Sequence, residues 1–574
     1  MTSMDAMGQF REEVMWSVTN ALDAMGVKVQ FELEAPDPEK ADLAVPCFPM
    51  AKALRKNPVE IANEIVAKLQ PMPTIEKMWA DRGYLNFKVN EEFLAASTVR
   101  EILTHMGSFG NGTPKSERIL LEHTSVNPTG PLHVGRARNP LIGDTLARCL
   151  RTCGYDVTTE YLVNDVGKQV VLLTWGVHNV PGSEVAVTES AKDDHRLVGY
   201  YQKANQRMEA EPEVQEQISG MLRRFEQGDQ QVIEQVRETT EMMLRGIRTS
   251  LSQVGVQIDN YTWESQFILD GSAKEVVEQL KKTPFCKEEN GAYYLDLETF
   301  GIHGKSTKFF FTRADGTTLY TTRDIAYHLN KFTRADILIN VLGEDQKLGQ
   351  QQLAAALKIL GRNCVPECVF YSFVSLPEGR MSTRKGVVVY LDDLIDEAVD
   401  RAYEEVKLRR RDLSEEKMRQ IANDIGSGAI RYNILRVQAE KQLVFKWEEA
   451  LNFEGNSAPF VQYAHARACS ILRKVESYDR SADARKLVDP YERKLIRTLS
   501  LYPSVVKEAG EKRRVHLLPA YGHEVAAAFN QFYGAVPVLK SGETQDARLC
   551  LVECTMWVLR NTLGNLGLVA PEEM

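Results

Sequence analysis

The chain has 574 residues, of which 43% are hydrophobic and 26% are charged, and its formal net charge is −9. This length exceeds what a single core fills, so we expect several globular domains. An acidic chain is a poor candidate for coating nucleic acid indiscriminately. No apolar run approaches the ~20 residues of a membrane span, and the first residues lack a secretory pattern. We therefore expect a cytoplasmic protein with no membrane partner.

The nine cysteines do not predict a metal site. None forms a CxxC pair, and no second ligand pair follows at zinc-finger spacing. Buried free cysteine is common in intracellular proteins. We expect free thiols and no metal.

Residues 1–112 predict a small α+β domain. EEVMWSVTNALDAM and PVEIANEIVAKL have helical apolar spacing, the second with Pro58 near its start. VQFELEAP and GYLNFKV are predicted strands, and the glycine-rich GSFGNGTPKSER is a predicted linker. The second strand offers Tyr84, Asn86 and Phe87 as contacts for a partner, unless these aromatic side chains belong to the core.

Residues 113–410 mix strands and helices. RILLEHTS, DVTTEYLVND, ADILINVLGED and CVFYSFVSL have strand length, and a helical pattern separates the first two. Such a βαβ order predicts a parallel sheet. FFFTRADGTTLYTT, with its Asp-Gly pair, predicts a hairpin. A helical insertion is expected at about 176–265. From 411 to 574 the strand pattern disappears, which predicts an all-α bundle.

HVGR, residues 133–136, stands where the first strand gives way to a helix. Ligands of open parallel sheets bind at the carboxyl ends of strands, where helix amino termini favour phosphate. His133 would add a hydrogen-bond donor, Gly135 would let a flat ring approach the backbone, and Arg136 would add positive charge. Taken alone, a surface histidine beside a turn is the simpler interpretation. Pro140 predicts a kink or a late start of the helix.

A second basic element, LPEGRMSTRKGVVVYLDDL, begins at Leu376. Its flanking glycines would let a loop carrying Arg380, Arg384 and Lys385 close over a polyphosphate and offset charge on the leaving group. A solvated basic turn is the competing interpretation for this element alone.

The two elements together resemble the His-Ile-Gly-His and Lys-Met-Ser-Lys-Ser signatures of class I aminoacyl-tRNA synthetases. More specifically, several motifs are similar, in order, to those of arginyl-tRNA synthetases: EHTSVNPTGPLHVG, EYLVNDVGKQ, LYTTRDIAYH, GEDQKL, MSTRKG and FVQYAHAR. The likeness extends over nearly the whole chain, from DLAVPCFPMAKALRKNP to LGLVAPEEM.

The resemblance implies a Rossmann-type α/β catalytic domain with a parallel sheet, an amino-terminal α+β domain that contacts the tRNA elbow, and a carboxy-terminal all-α anticodon-binding bundle. It also implies the reaction: arginine and ATP give arginyl-adenylate and pyrophosphate, and we expect Mg²⁺ to accompany the ATP. The arginyl group then moves to the terminal adenosine of tRNA(Arg). Bound tRNA is typically needed for the first step, and we expect a monomer.

The family match, joined to the chemistry of a planar guanidinium, assigns roles to individual side chains. The expected arginine-binding residues are Glu122, Asn127, Tyr320, Asp324 and Gln346. The expected ATP-binding residues are Thr129, His133, Gly135, Arg136, Gly343, Met381 and Ser382, and the expected catalytic residues are His133, Gly135, Arg136, Arg384 and Lys385. The expected tRNA contacts are Tyr84, Asn86, Phe87, Tyr463, His465 and Arg467, although Tyr463 suits the bundle core equally well.

The sequence departs from the family pattern at two signature positions. Arg136 replaces the second histidine of the first motif, and Thr383 replaces the second lysine of the loop, so that Arg384 or Lys385 must substitute. A compensating lysine before the first motif is absent, because that position is Gly130, and Gly349 stands where many members have histidine.

Two other interpretations remain open at this point. The chain could be another class I synthetase, such as a cysteinyl enzyme, although that enzyme's zinc ligands are not apparent. It could also be a non-catalytic, RNA-binding paralogue that kept the fold.

Overall fold

The computed structural model describes residues 5–36, 40–186, 188, 190, 192–375 and 389–574, with the side chains of 305 and 306 left out. The strands are β1 (Leu43–Pro46), β2 (Ile75–Asp81), β3 (Tyr84–Val89), β4 (Arg118–Glu122), β5 (Asp156–Val163), β6 (Asn260–Trp263), β7 (Cys286–Glu289), β8 (Ala292–Asp296), β9 (Lys308–Phe310), β10 (Ile337–Gly343), β11 (Glu367–Tyr371), β12 (Val374–Ser375) and β13 (Leu443–Val444).

The helices of the first half are α1 (Ala6–Ala24), α2 (Phe48–Leu54), α3 (Pro58–Val66), α4 (Glu91–His105), α5 (Arg138–Thr152), α6 (Lys168–Asn179), α7 (Asp193–Ala210), α8 (Pro212–Glu226), α9 (Gln230–Gln253), α10 (Gln266–Leu269) and α11 (Ser272–Lys281). Those of the second half are α12 (Tyr320–Arg334), α13 (Lys347–Ile359), α14 (Leu391–Arg409), α15 (Glu415–Leu435), α16 (Trp447–Ala450), α17 (Ala458–Leu472), α18 (Pro490–Ser500), α19 (Tyr502–Glu511), α20 (Leu517–Ala535) and α21 (Gln545–Asn565).

A five-stranded parallel sheet organises the middle of the chain, in the order β11-β10-β4-β5-β6. Its inner strands β4 and β10 are largely apolar and buried, as expected where helices cover both faces of a parallel sheet. The predicted parallel sheet is therefore confirmed. The strand β6 has no counterpart in the sequence prediction, because its four residues, NYTW, are too short to carry a periodic pattern.

The amino-terminal region contains a three-stranded antiparallel sheet, β1-β3-β2, packed with α1 to α4. Helix α3 begins at Pro58, and Asn57 caps it by accepting from the backbone N–H of Val59. The predicted strand VQFELEAP is wrong: within this segment only an isolated bridge joins Glu34 to Ala44.

From 411 to 574 the chain is almost entirely helical, and the predicted bundle is confirmed. Helix α18 starts with a capping box between Asp489 and Glu492, which satisfies orphan N–H groups at the helix end. The one extended exception in the bundle is β13, a two-residue strand that pairs with β12 and so ties the bundle to the sheet domain.

The remaining elements flank the sheet. Helices α7, α8 and α9 pack with α6 around a separate apolar cluster that includes Val171, Ile218 and Val236. The predicted hairpin is only partly correct, because its Asp-Gly turn is closed by a single bridge between Thr312 and Thr318 and the chain then enters α12. Among the described residues, no helix is long and apolar enough to cross a membrane.

Candidate active site

The candidate site lies where β4, β5 and β10 end side by side. In the parallel register Asn340 of β10 stands opposite Glu122 of β4, and Glu122 stands opposite Glu160 of β5. The loops that follow β4 and β10 therefore leave the sheet at the same edge. This is the edge where open parallel sheets bind their ligands.

His133 caps a short 3₁₀ turn, Val134–Arg136, that leads into α5. Its Nδ1 accepts a hydrogen bond of 3.0 Å from the backbone N–H of Gly135. A ring whose Nδ1 accepts is neutral and carries its proton on Nε2. Burial, and secondarily the charge of Arg136, lower the pKa of His133, which favours the same neutral form. The ring is thus prepared to donate from Nε2.

Helix α5 starts late, at Arg138, so that Pro140 falls in its first turn, where no N–H is needed. The predicted late start is confirmed. Arg138 itself is fully buried, and its guanidinium donates to the carbonyls of Ser372, Val437, Gln438 and Lys441. It holds the start of α5 against the residue that follows β11 and against the segment that follows α15.

A cleft of about 460 Å³ opens beside His133. Arg136 is exposed there, with its guanidinium carbon 6.0 Å from the centre of the Phe373 ring. The residues that line the cleft are His133, Gly135, Arg136, Glu344, Ser372, Phe373, Val374, Ser375 and Gln442. Its base combines a neutral donor, a permanent cation and an aromatic face.

The segment that carries the second basic element joins the cleft at both ends. It leaves from Ser375, a lining residue, and returns at Val389, whose carbonyl accepts from the backbone N–H of Val134 at 3.1 Å. Tyr390 forms an antiparallel bridge with His133. The predicted residues Met381, Ser382, Arg384 and Lys385, together with Thr383, lie outside the described residues.

The turn after β4 has an unusual backbone. Thr124 and Ser125 adopt φ values of 71° and 37°, a region that costs free energy for residues with a Cβ and that clusters at functional sites. The Thr124 N–H donates to Asn139 Oδ1 at 2.6 Å, and Ser125 Oγ donates to Glu122 at 3.1 Å. These bonds hold the strained turn.

The predicted residues of this loop follow the turn directly. Asn127 is exposed, its side-chain amide approaches that of Asn164 to 3.4 Å, and its carbonyl accepts from the N–H of Thr129 at 2.8 Å. Thr129 is half-buried. Both residues lie between the end of β4 and His133. Asn127 was predicted to bind arginine and Thr129 to bind ATP.

Gly343 ends β10 in a crowded position. A Cβ there would lie 2.4 Å from the Asp345 carboxylate and 3.1 Å from the Phe373 ring. A side chain here would displace the Asp345 carboxylate and press against Phe373, a residue of the cleft wall. The following 3₁₀ turn, Glu344–Gln346, leaves Gln346 exposed, with its amide 3.5 Å from Asp345.

Tyr320 and Asp324 lie one turn apart at the start of α12, so that both side chains share one helix face. Tyr320 is 69% exposed, which is high for a large aromatic residue. The Asp324 carboxylate is partly exposed, and its Oδ1 lies 3.1 Å from Nδ1 of His328. An aromatic hydroxyl and a held carboxylate together suit a planar, multiply donating cation.

Glu122 is buried, and its carboxylate forms an ion pair with the fully buried ammonium of Lys331. Its other oxygen accepts from Ser125. The predicted role toward the amino end of a substrate therefore falls on a carboxylate whose charge is already balanced inside the protein.

The predicted contacts of the amino-terminal region divide between surface and core. Tyr84 and Asn86 are half-exposed on β3, and Tyr84 meets Phe48 edge to face at 5.2 Å. Phe87 points to the other face of the strand and is fully buried. Its ring cannot reach an RNA, and this prediction is corrected because strand alternation sends residue 87 into the core.

The predicted tRNA contacts of the bundle also divide between surface and core. Tyr463 is 44% exposed, and Arg467 lies between two rings, 4.7 Å from that of Tyr463 and 5.3 Å from that of Tyr533. His465 is instead buried and bonds the carbonyl of Pro571 at 2.9 Å. It is corrected to a structural residue that holds the carboxy-terminal segment.

One acidic cluster lies where α7 and α14 begin. Ligand atoms of Asp194, His195 and Asp392 lie within 4.8 Å of one another. The ammonium of Lys192 donates to Asp392 at 2.7 Å and to Ser250 at 2.6 Å. A lysine already supplies the positive charge there, so the cluster serves as an ion-pair network between α7 and α14.

Sequence reasoning missed Ser125, His328, Lys331, Asn340 and Tyr533. Two signals were available: residues 324, 328 and 331 recur at helical spacing, and Asn340 is a lone polar residue inside the apolar strand ILINVLG. The strained turn at Thr124 gave no signal, because a β-branched residue does not predict positive φ.

Comparisons with known proteins agree with this geometry. Family models match residues 12–89 (arginyl tRNA synthetase N terminal domain), 98–447 (tRNA synthetases class I (R), catalytic domain) and 461–574 (DALR anticodon binding domain). The chain is 47% identical to the arginine–tRNA ligase of Methanocella arvoryzae, over 92% of each chain. It is 42% identical to that of Methanothermobacter thermautotrophicus, over 98% of this chain and 99% of the other.

A solved structure gives the same result. The Thermus thermophilus arginyl-tRNA synthetase superposes with a TM-score of 0.83 at 28% identity, covering 98% of this chain and all of that one (100%).

Proposed function

The chain belongs to the arginyl-tRNA synthetase family, and we propose that it is an arginine–tRNA ligase that uses the sheet edge described above as its active site. The arginine carboxylate attacks the α-phosphorus of ATP, which releases pyrophosphate and leaves arginyl-adenylate. A ribose hydroxyl of the terminal adenosine of tRNA(Arg) then attacks the arginyl carbonyl, which releases AMP. The observation that carries the proposal is the pairing of exposed Tyr320 with held Asp324 on α12, whose His328 contacts Asn340 of β10.

The amino-acid end of the site recognises a guanidinium by geometry. A guanidinium presents a rigid fork of N–H donors, and a carboxylate accepts two of them side by side. We assign Asp324 to this fork and the hydroxyl of Tyr320 to a further N–H. A lysine ammonium would leave part of this acceptor set unpaired, which is costly in a partly desolvated site.

The opposite end of the amino acid lies toward β4 and β10. Asn127 and Gln346 are exposed and offer amide groups to the α-amino and carboxylate groups of arginine. Glu122, at the end of β4, adds negative potential to the site, and its ion pair with Lys331 reduces that potential. The arginine would thus lie across the ends of the two strands, with its carboxylate directed to the nucleotide.

The nucleotide end stabilises charge. His133 donates from Nε2, Arg136 supplies permanent positive charge, and Gly135 and Gly343 keep the backbone and the cleft wall clear. Thr129 lies in the loop that leads from β4 to His133. ATP enters with Mg²⁺ bound to its phosphates, and Met381, Ser382, Arg384 and Lys385 act from the part of the sequence between Ser375 and Val389. Such preorganised donors stabilise charge that develops in phosphoryl chemistry.

We propose three domains: residues 1–112 for the tRNA elbow, 113–410 for catalysis with an insertion at about 176–265, and 411–574 for the anticodon. Tyr84 and Asn86 are the proposed elbow contacts. Tyr463, Arg467 and Tyr533 form an exposed stack of ring, cation and ring that suits an unpaired base. We further propose that the protein acts as a monomer in the cytoplasm.

The proposal is tested by amino-acid-dependent ATP–pyrophosphate exchange and by charging of tRNA(Arg), with saturating tRNA and Mg²⁺ throughout. Arginine is expected to support both reactions, and lysine, citrulline and cysteine are expected to support neither. Exchange with cysteine in place of arginine would assign the chain to another substrate. Tight tRNA binding without charging by any of these amino acids would identify a non-catalytic relative.

A further inference from the structure

A chain of buried polar side chains connects the two ends of the proposed arginine pocket. Lys331 pairs with Glu122 and donates to Asn340 Oδ1 at 3.0 Å. Asn340 Nδ2 lies 2.9 Å from His328 Nε2. His328 Nδ1 lies 2.8 Å from the carbonyl of Asp324 and 3.1 Å from its Oδ1. The three linking side chains are buried, with at most 1% of each residue exposed.

The direction of every hydrogen bond in this series of buried side chains follows from one group, the ammonium of Lys331. An ammonium has no acceptor, so Asn340 must turn its oxygen to Lys331. Its NH₂ group therefore faces His328, and its second N–H reaches Gln350 Oε1 at 3.4 Å. Nε2 of His328 must then accept, which puts the ring proton on Nδ1. The ring consequently donates to Asp324.

This direction matters for a carboxylate that has to meet a guanidinium. Asp324 receives the N–H of His328 on its carbonyl and on Oδ1, which limits rotation of its side chain. The lone pairs that His328 does not use remain available to substrate. A ring with the opposite tautomer would turn a lone pair toward Asp324 and repel it.

We propose that His328 is a positioning residue that fixes the Asp324 carboxylate for the substrate guanidinium, with its tautomer imposed by Lys331 through Asn340. The inference rests on the proposed function, because it assigns Asp324 to arginine. It deepens that function by making specificity depend on a side chain that does not itself contact the substrate. It also joins the guanidinium end of the pocket, at Asp324, to the amino end, at Glu122.

The first test is a nearly isosteric pair, His328→Asn and His328→Leu. The asparagine amide places a donor close to the position of Nδ1, whereas leucine has none. We expect His328→Leu to raise the KM for arginine at least tenfold and His328→Asn to raise it no more than threefold. The KM for ATP should change less than twofold in both. His178→Leu, at the exposed end of α6, is the matched control and should leave all constants unchanged.

The second test reads the tautomer in the wild-type protein, and a variant is used only to assign the signal. Histidine labelled with ¹⁵N reports which ring nitrogen carries the proton, and the signal of His328 is the one missing from His328→Asn. The Nδ1-protonated tautomer is the expected result at neutral pH. A ring protonated at Nε2 would overturn the proposal.

The outcomes separate this inference from the proposed function. A wild-type protein without arginine-dependent exchange contradicts the function itself. A wild-type protein that is active, with equal KM values for arginine in the leucine and asparagine variants, overturns only the role of His328. A KM for ATP that rises as much as the KM for arginine would likewise overturn it, because it would mark a general loss of structure.

Discussion

The two ends of the candidate site are built differently. The amino-acid end rests on buried groups in regular elements, with Asp324 held through His328, Asn340 and Lys331 on α12 and β10. The nucleotide end is built on short turns, with Arg136 exposed and His133 half-buried. Discrimination between amino acids needs fixed acceptors, whereas binding a polyphosphate needs mainly positive charge and donors that a loop can complete. Rigidity is concentrated where selectivity is required.

The largest effect is expected from Asp324→Ala, which removes the proposed guanidinium-binding carboxylate from the amino-acid end. Removing one partner of a charged, hydrogen-bonded pair in a desolvated site costs about 2–5 kcal/mol of binding free energy or more. We therefore expect kcat/KM for arginine to fall about a thousandfold or more, with tRNA affinity within twofold of wild type. Asp315→Ala, in the exposed turn before α12, is the control and should behave as wild type. Equal turnover by Asp324→Ala and wild type would refute the pocket.

The difference between exposed groups at the ends of elements and buried groups behind them explains which site residues the sequence predicts and which it does not. Motif order points to the exposed and partly exposed groups that we propose as ligands, such as Tyr320, Asp324 and His133, because these occupy recognisable positions at the ends of elements. It fails for Phe87 and His465, where neighbouring residues of one motif point to opposite sides of an element. It also omits the buried links, because Lys331 and Asn340 acquire partners only through the sheet register, which brings β10 beside β4.

At the nucleotide end, we expect His133→Asn to lower kcat for exchange about a hundredfold, which is typical of a lost donor to developing charge. The asparagine oxygen can still accept from the Gly135 N–H, so the cap is kept while the Nε2 donor is lost. His133→Ala should show a similar kcat and should in addition lose about 1 kcal/mol of stability with the cap. A KM for arginine that rises as steeply as kcat falls would contradict the separation of the two ends.

The bundle extends the comparison to a proposed recognition element on the surface, where Tyr463 and Tyr533 are 44% and 42% exposed. Tyr533→Ala removes one ring from the stack on Arg467, and base stacking contributes about 1–3 kcal/mol. We expect tRNA affinity to fall about tenfold in filter binding, with the KM values for arginine and ATP unchanged at saturating tRNA. Tyr491→Ala removes a ring of similar exposure, 43%, from α18 and serves as the control. Equal losses in both variants would refute a specific stack.

The last expected effect is on stability rather than on binding or rate, and it concerns the buried ring of His123 behind the site. This ring is fully buried against α5, where a Cβ on Gly143 would come within 2.3 Å of it, and burial lowers its pKa from 6.5 to about 4. Between these values the unfolded chain binds a proton that the folded chain does not, so stability falls as pH falls. The loss on going from pH 7 to pH 5 amounts to about 2 kcal/mol. Urea titrations should show a weaker pH dependence in His123→Gln than in wild type or in the exposed control His178→Gln. The same pH dependence in all three proteins would mean that His123 takes up its proton without unfolding, and that the region behind the strained turn is more open to water than the amino-acid end requires.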